Sequence, residues 1–306
     1  MKGKILLIGL ILLSFFTVII IITTKEANKI NKEKDFDKTL KLINKLRYFN
    51  DKDETFDKIQ KYYINLDRST ERRKGIEEEF KLYNIKNYER IPAVDGSKLE
   101  SLSKGEANGY TFTNDYNVPS GPLGCTLSHM IAIKKAHDNG LDCAIIIEDD
   151  TKFTFMPYWK KSLSEIIKET PEDFDILLLT HQNWGKKHDQ NKIYKRYSNV
   201  KKHLIQSSVC YLISKKGIEK VNNLFFSKNN INFKKEYQMK NSIIDEGVWD
   251  SLNVYYTCPH MFPLDSLKYP TTIHGGGIPE CNYKPVEEAT KYYEPLFWDK
   301  LLKKTS

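Results

Sequence analysis

Cys143-Ala144-Ile145-Ile146-Ile147-Glu148-Asp149-Asp150 is the stretch on which the fold turns. Its first five residues, Cys143 to Ile147, are continuously apolar rather than alternating, the mark of a strand buried on both faces. Such a strand needs helices above and below it, which selects a layered α/β sheet with mostly parallel strands. Three acids follow at its carboxyl end, and ligands of open α/β sheets bind outside the carboxyl ends of the strands. Carboxylates this close raise one another's pKa, and a divalent cation among them relieves the repulsion. An acidic helix cap or exposed turn is the plainer reading of three acids. The apolar residues before them favour a site.

Working outward, residues 124–139 have helical spacing, with Leu127, Ile131 and Ala132 on one face and Gly140 closing the helix. Upstream, residues 61–66 and 88–93 read as strands around a helical segment, 69–83, with Ser69 as its N-cap. Downstream, residues 175–180 and 207–213 read as strands, the second running into Ser214-Lys215-Lys216-Gly217 and a further helix. This alternation predicts a Rossmann-type mixed, mostly parallel sheet flanked by helices. There is no internal repeat.

The amino end has a different composition. Residues 5–24 carry no charge and are dominated by Leu, Ile, Val and Phe. At about 1.5 Å per residue the segment reaches roughly 30 Å, enough to cross a bilayer core. Thr23-Thr24-Lys25-Glu26 offers no small-residue cleavage pattern, which favours an uncleaved anchor over a signal peptide. The expected organisation is a tail at residues 1–4, a transmembrane anchor at 5–24, a charged stem at 25–55 and a catalytic domain at 56–306. Lysines flank the anchor on both sides, so charge alone does not orient it. The 306 residues carry a formal charge of +8 without a basic block, and no zinc-finger or RNA-binding spacing, so nucleic acid is not an expected partner. Five cysteines without a CxxC pair define neither a disulfide framework nor a structural zinc site.

Four segments in order resemble glycosyltransferase family 25, which includes lipooligosaccharide galactosyltransferases and procollagen galactosyltransferases. They are Tyr63-Ile64-Asn65-Leu66-Asp67-Arg68-Ser69-Thr70-Glu71-Arg72-Arg73, Arg90-Ile91-Pro92-Ala93-Val94-Asp95-Gly96, the block from Gly121-Pro122-Leu123-Gly124-Cys125-Thr126-Leu127-Ser128-His129-Met130 through Asp150, and Val209-Cys210-Tyr211-Leu212-Ile213-Ser214-Lys215-Lys216-Gly217. The resemblance implies a GT-A fold and inverting transfer of a hexose, galactose first and glucose next, from a UDP-sugar. The implied acceptor is a hydroxyl on a glycan, a lipid-linked oligosaccharide or a hydroxylysine-type protein. The carboxylates suit Mn²⁺ or Mg²⁺ as cofactor, and the apolar anchor with a lumenal catalytic domain would make a type II single-pass membrane protein. The compartment would be the secretory lumen in a eukaryote, and host membranes or the virion for a virus.

Residue roles follow from the two readings together. Glu148, Asp149 and Asp150 stand in for a DxD-type motif, with Glu148 and Asp150 at the metal and Glu148 and Asp149 at the donor. Asn65, Asp67 and Arg68, just past a strand, are placed to hold uridine or ribose, while Arg72 and Arg73 read as surface charges on the following helix. Asp95 is a turn residue or a nucleotide contact. Ser128 and His129 precede the acidic strand, and His129 either reaches the diphosphate or is an ordinary helix histidine. Asp245 and Glu246 are the candidate bases, with a helix-start aspartate as the plain alternative. His274, in His274-Gly275-Gly276-Gly277, is a candidate late metal ligand or part of a flexible loop, and His260 is a weaker substitute. Two other classes remain: a metal-dependent phosphohydrolase, which wants more His ligands than seven scattered histidines offer, and a catalytically inactive relative acting as a membrane-tethered binding module.

Overall fold

The computed structural model describes residues 54–99, 104–114, 119–156, 159, 161–183, 192–195, 205–233, 244–258 and 260–262. In chain order the regular elements are α1 (Glu54–Lys58), β1 (Gln60–Asn65), α2 (Thr70–Leu82), β2 (Tyr88–Pro92), β3 (Lys104–Ala107), β4 (Tyr110–Asn114), α3 (Ser120–Asp138), β5 (Cys143–Glu148), α4 (Leu163–Glu169), β6 (Ile176–Leu178), β7 (Gln182–Asn183), β8 (Lys192–Lys195), β9 (Ile205–Gln206), β10 (Cys210–Ser214), α5 (Lys215–Phe225), β11 (Phe226–Ser227), β12 (Asn230–Phe233) and β13 (Val254–Cys258). Short 3₁₀ turns at Gly96–Lys98 and Trp249–Ser251 and a π-turn at Ile244–Val248 complete the set.

The main sheet has the order β2-β1-β5-β10-β6-β13-β8. Strands β2, β1 and β5 are parallel, and β6 and β13 run with them. Only β10 and β8 run against their neighbours. The mostly parallel layered sheet is as expected. Ile145, Ile146 and Ile147 of β5 are all fully buried, so this strand is covered on both faces. Ile146 faces a core that includes Tyr62, Met130, Ile133, Tyr211 and Trp249. On the other side Phe56, Phe80, Phe153 and Phe262 are fully buried and make edge or tilted ring contacts.

Helix α2 begins after Ser69, but the serine hydroxyl makes no cap bond; its backbone carbonyl accepts from Asn65 Nδ2 and the Arg73 amide instead. Ser214 is a true N-cap, its hydroxyl accepting from Gly217 N at 3.1 Å. Helix α3 starts earlier than its apolar spacing indicates, at Ser120. Pro122 sits in its first turn, where a missing N–H costs nothing. Gly140 follows its end at φ +63°, the left-handed position a helix terminus favours for glycine.

A second sheet, β11-β12-β4-β3, was not anticipated. Its β3–β4 hairpin turns on Asn108-Gly109, both at positive φ (52° and 81°). That pair is the preferred two-residue hairpin turn.

The expected anchor at 5–24 and most of the stem at 25–55 lie outside the described residues. Among those described, no helix is long and apolar enough to cross a membrane. Helix α1 holds fully buried Phe56, the first residue of the expected catalytic domain.

Candidate functional site

Parallel register brings the carboxyl ends of β1, β2 and β5 to one edge: Asn65 pairs with Pro92, and Ile64 with Glu148. The amino-terminal half of α3 leans over that edge. Its approach is close: a Cβ on Gly124 would lie 2.7 Å from Gly96 N and 2.8 Å from Val94 O, and one on Gly96 would lie 2.3 Å from Ser120 O. Ser128 ties the same elements, accepting from Val94 N at 2.8 Å and donating to Gly124 O at 2.6 Å. Between them opens a cavity of ≈ 260 Å³ whose lining includes Asn65, Arg68, Arg72, Ser97, Gly121, Cys125, Ser128, His129, Glu148 and Asp149.

The three acids turn two ways. Glu148 points toward α3, where Oε1 accepts from Ser208 Oγ at 2.7 Å and stands 3.3 Å from His129 Nε2. The other ring nitrogen of His129 is 3.1 Å from the Tyr211 hydroxyl. Asp149 and Asp150 point toward α2. One Arg72 nitrogen, Nη2, is 2.6 Å from Asp149 Oδ1 and 2.7 Å from Asp150 Oδ2, and Asn65 Nδ2 donates to Asp149 Oδ2 at 2.6 Å.

The electrostatics follow this division. Burial pushes the Glu148 carboxyl up, but His129, Ser208 and Arg72 outweigh it and hold Glu148 below the ordinary range. Burial raises Asp149 despite Arg72 and Asn65. Asp150 is pushed up to about 7, by burial first; Arg72 opposes this, and the charges of Glu148 and Asp149 add to it.

Arg72 is the principal correction to the sequence reading. It is no surface charge: its side chain is 13% exposed, against 49% for Arg73, which pairs with Glu77 as a solvated residue does. The signal was available, since Arg72 precedes Ile76 and Phe80 at helical spacing, and both are buried. Cys125, one turn before His129, was missed as a pocket residue.

The remaining candidates fall as follows. Asn65 lines the pocket, but its amide is already engaged: Oδ1 accepts from Arg90 Nε at 3.1 Å, and Nδ2 bonds Ser69 O and Asp149. Asp67 is exposed and pairs with Arg90. Arg68 lines the cavity and pairs with Asp95, which also caps the Gly96–Lys98 turn through Ser97 N at 3.0 Å. Asp245 and Glu246 fall in the Ile244–Val248 turn, whose Ile244 and Val248 join the core with α3; their side chains lie outside the described residues, as does all of His274. His260 is buried and stacked on His181 at 4.1 Å, and it does not line the cavity.

The acids suit a hard cation by two observations. Asp149 and Asp150 bring carboxylate oxygens together on a single positive group, and Asp150 Oδ1 is buried without a hydrogen-bond partner among the described residues.

The family description "Glycosyltransferase family 25 (LPS biosynthesis protein)" matches residues 58–238, more than half of the chain. This chain belongs to glycosyltransferase family 25. Within the family's reach, Procollagen galactosyltransferase 1 of Danio rerio is 28% identical over 141 residues, 43% of this chain and 23% of that protein. Putative glycosyltransferase R655 of Acanthamoeba polyphaga mimivirus is 35% identical over 123 residues, 38% of this chain and 35% of that protein. The match therefore spans only about a quarter to a third of these relatives. Among solved structures, a glycosyltransferase involved in glycosylation of the major capsid of PBCV-1 aligns over 65% of this chain and 92% of its own at 11% identity, with a TM-score of 0.30.

Proposed function

We propose that this family 25 chain transfers a hexose, galactose before glucose, from a UDP-sugar to an acceptor hydroxyl, with inversion and with Mn²⁺ or Mg²⁺. The observation that carries the reading is the cavity at the carboxyl ends of β1, β2 and β5, with Arg72, Glu148 and Asp149 in its wall and Asp150 behind them on Arg72. A nucleoside diphosphate needs cationic and N–H donors for phosphate and carboxylates for metal or ribose. Both are within one cavity here. Galactose is favoured because the zebrafish relative is named for galactosyl transfer.

Asp149 and Asp150 would hold the cation, which when bound would neutralise charge on the departing diphosphate, and Glu148, turned toward α3, would face the donor. Arg72 stands where it can hand its charge from the acids to the diphosphate. Asp245 or Glu246 would take the acceptor proton. Asn65, whose Oδ1 accepts from Arg90 of β2, donates to Asp149 from the β1 side, so the acid is pre-oriented. Residues 5–24 would tether the domain to a bilayer in type II orientation, and the acceptor would be a glycan, lipid-linked oligosaccharide or hydroxylysine-type protein.

The test is a panel of UDP-sugars with Mn²⁺, scored for UDP release, on the wild-type chain and on Asp150→Asn. The reading expects one preferred donor and loss of release in the variant. Absence of binding to every UDP-sugar sinks it. One observation favours the second reading, a catalytically inactive binding module: Arg72 already neutralises Asp149 and Asp150. UDP-sugar binding without turnover, unaffected by metal, would select that reading.

A further inference from the structure

Glu148 turns away from Asp149 and Asp150 and toward α3, and what it meets there is unlike a hard-cation site. Cys125 and His129 stand one turn apart on that helix, so their side chains share a face. The Cys125 sulfur, a His129 ring nitrogen and a Glu148 carboxylate oxygen all lie within 4.8 Å of one another. All three residues line the cavity.

We propose that Cys125, His129 and Glu148 form a three-ligand site for a borderline-soft divalent cation, of which Zn²⁺ is the fitting example, with the fourth position open to the cavity. This goes beyond the donor reading, which gives the hard cation to Asp149 and Asp150. Donor atoms 2.0–2.3 Å from a tetrahedral centre stand about 3.3–3.8 Å apart. His129 Nε2 and Glu148 Oε1 are already 3.3 Å apart. The pair is hydrogen-bonded without a metal, its spacing also falls at the lower end of the range for two ligands of one centre, and the Cys125 sulfur within 4.8 Å completes the set.

The surrounding contacts are those a ligand set needs. The Tyr211 hydroxyl lies 3.1 Å from His129 Nδ1, which leaves Nε2 for the metal, and Ser208 Oγ donates to Glu148 at 2.7 Å. Partners of this kind fix ring orientation and ligand basicity. Tyr211 is held by Trp249, ring centroids 5.0 Å apart and nearly perpendicular. A thiolate donor selects against Mg²⁺ and for Zn²⁺. Three protein ligands with an open fourth position are the arrangement of reactive rather than purely structural zinc sites. On binding, the Cys125 thiol gives its proton to solvent and the sulfur–metal bond forms, with no change of oxidation state.

The experiment uses the full chain, stripped with a chelator and titrated with Co²⁺ alone as the spectroscopic probe. One equivalent should produce a thiolate-to-cobalt charge-transfer band and the strong visible bands of a four-coordinate centre, which Zn²⁺ then erases. Cys125→Ser should abolish the charge-transfer band, Cys143→Ser should retain it, and Glu148→Ala should weaken Co²⁺ binding at least about tenfold. A second measurement needs no variant: Zn²⁺ should slow alkylation of Cys125, read by peptide mass, and leave Cys143 unchanged. Lack of a charge-transfer band, or a band that survives Cys125→Ser, overturns the proposal, and so does Cys125 alkylation indifferent to Zn²⁺. Donor binding is scored separately with Mg²⁺. A chain that binds UDP but shows no cobalt band loses this site alone; a chain with the band that binds no UDP-sugar loses the donor reading alone.

Discussion

At Arg72, one guanidinium nitrogen faces two buried carboxylates, and this pairing sets the properties of the site. Replacing Arg72 with Ala leaves Asp149 and Asp150 without their counter-charge, and removing one member of a buried pair costs about 3–5 kcal/mol. Both acids keep some solvent contact, so the lower figure is expected, read as a fall in the urea midpoint at pH 7 together with loss of UDP affinity. Asp150 gives a prediction of opposite sign. Its folded-state pKa, about 7, lies above the ordinary 3.8. The folded state therefore prefers the protonated acid, and this contribution to stability is complete below pH 3.8 and lost as pH rises to about 7. Asp150→Asn mimics the protonated form, so the variant should unfold at higher urea than wild type at pH 8, with the difference shrinking by pH 5, while UDP release is abolished. A variant equally stable at both pH values contradicts the buried, strained acid. The triplet was legible in the sequence because charge after an apolar strand is conspicuous. The role of Arg72 was not, because arginine on a charged helix looks solvated until the helix is phased against Ile76 and Phe80.

Elements were easiest to read where their periodicity was unbroken. Strand β5 and helix α2 emerge within a residue or so of their expected ends, since buried runs and helical phase are local properties. Helix α3 starts at Ser120, four residues before its apolar spacing marks it, because a first turn with proline is helical without carrying the core-facing period. The second sheet went unread even though Asn108-Gly109 signals its hairpin, because β4 pairs with distant β12 and no local pattern encodes that partner. Gly124 inside α3 and Gly140 just past its end separate packing from backbone conformation. Gly124→Ala forces a Cβ against the backbone of Val94 and Gly96. It should cost about 1–3 kcal/mol and weaken UDP binding, because the wall of the cavity must move. Gly140→Ala meets nothing within 4 Å but sits at φ +63°. Its cost should be about 1 kcal/mol, with UDP affinity unchanged. Equal effects on binding in calorimetric titration would mean that the α3 contact does not shape the site.

On the scale of the whole molecule, the same sheet edge continues past the acids to His181, after β6, and His260, after β13. These residues show how the far half of the sheet is closed. The His181 amide donates to His260 Nδ1 at 3.0 Å, so His260 must carry that nitrogen unprotonated; His181 Nε2 lies 2.9 Å from Thr257 O. Burial, and then the neighbouring His181, holds the His260 pKa well below its ordinary 6.5. In the unfolded chain His260 binds a proton below about pH 6.5, which the folded chain resists. The stability it confers is present above that pH and lost as pH falls, by up to about 1.4 kcal/mol per pH unit. Asp150 acts in the reverse direction over part of the same range, so the two groups must be separated by substitution and not by a single pH profile. His260→Gln keeps an acceptor for the His181 amide but cannot take up the proton. Its urea midpoint should fall less than that of wild type between pH 7 and pH 5, and the Asp150→Asn background should leave that difference intact because the two residues share no contact. Identical pH slopes for wild type and His260→Gln would show that the closure of β6 against β13 does not depend on a neutral histidine.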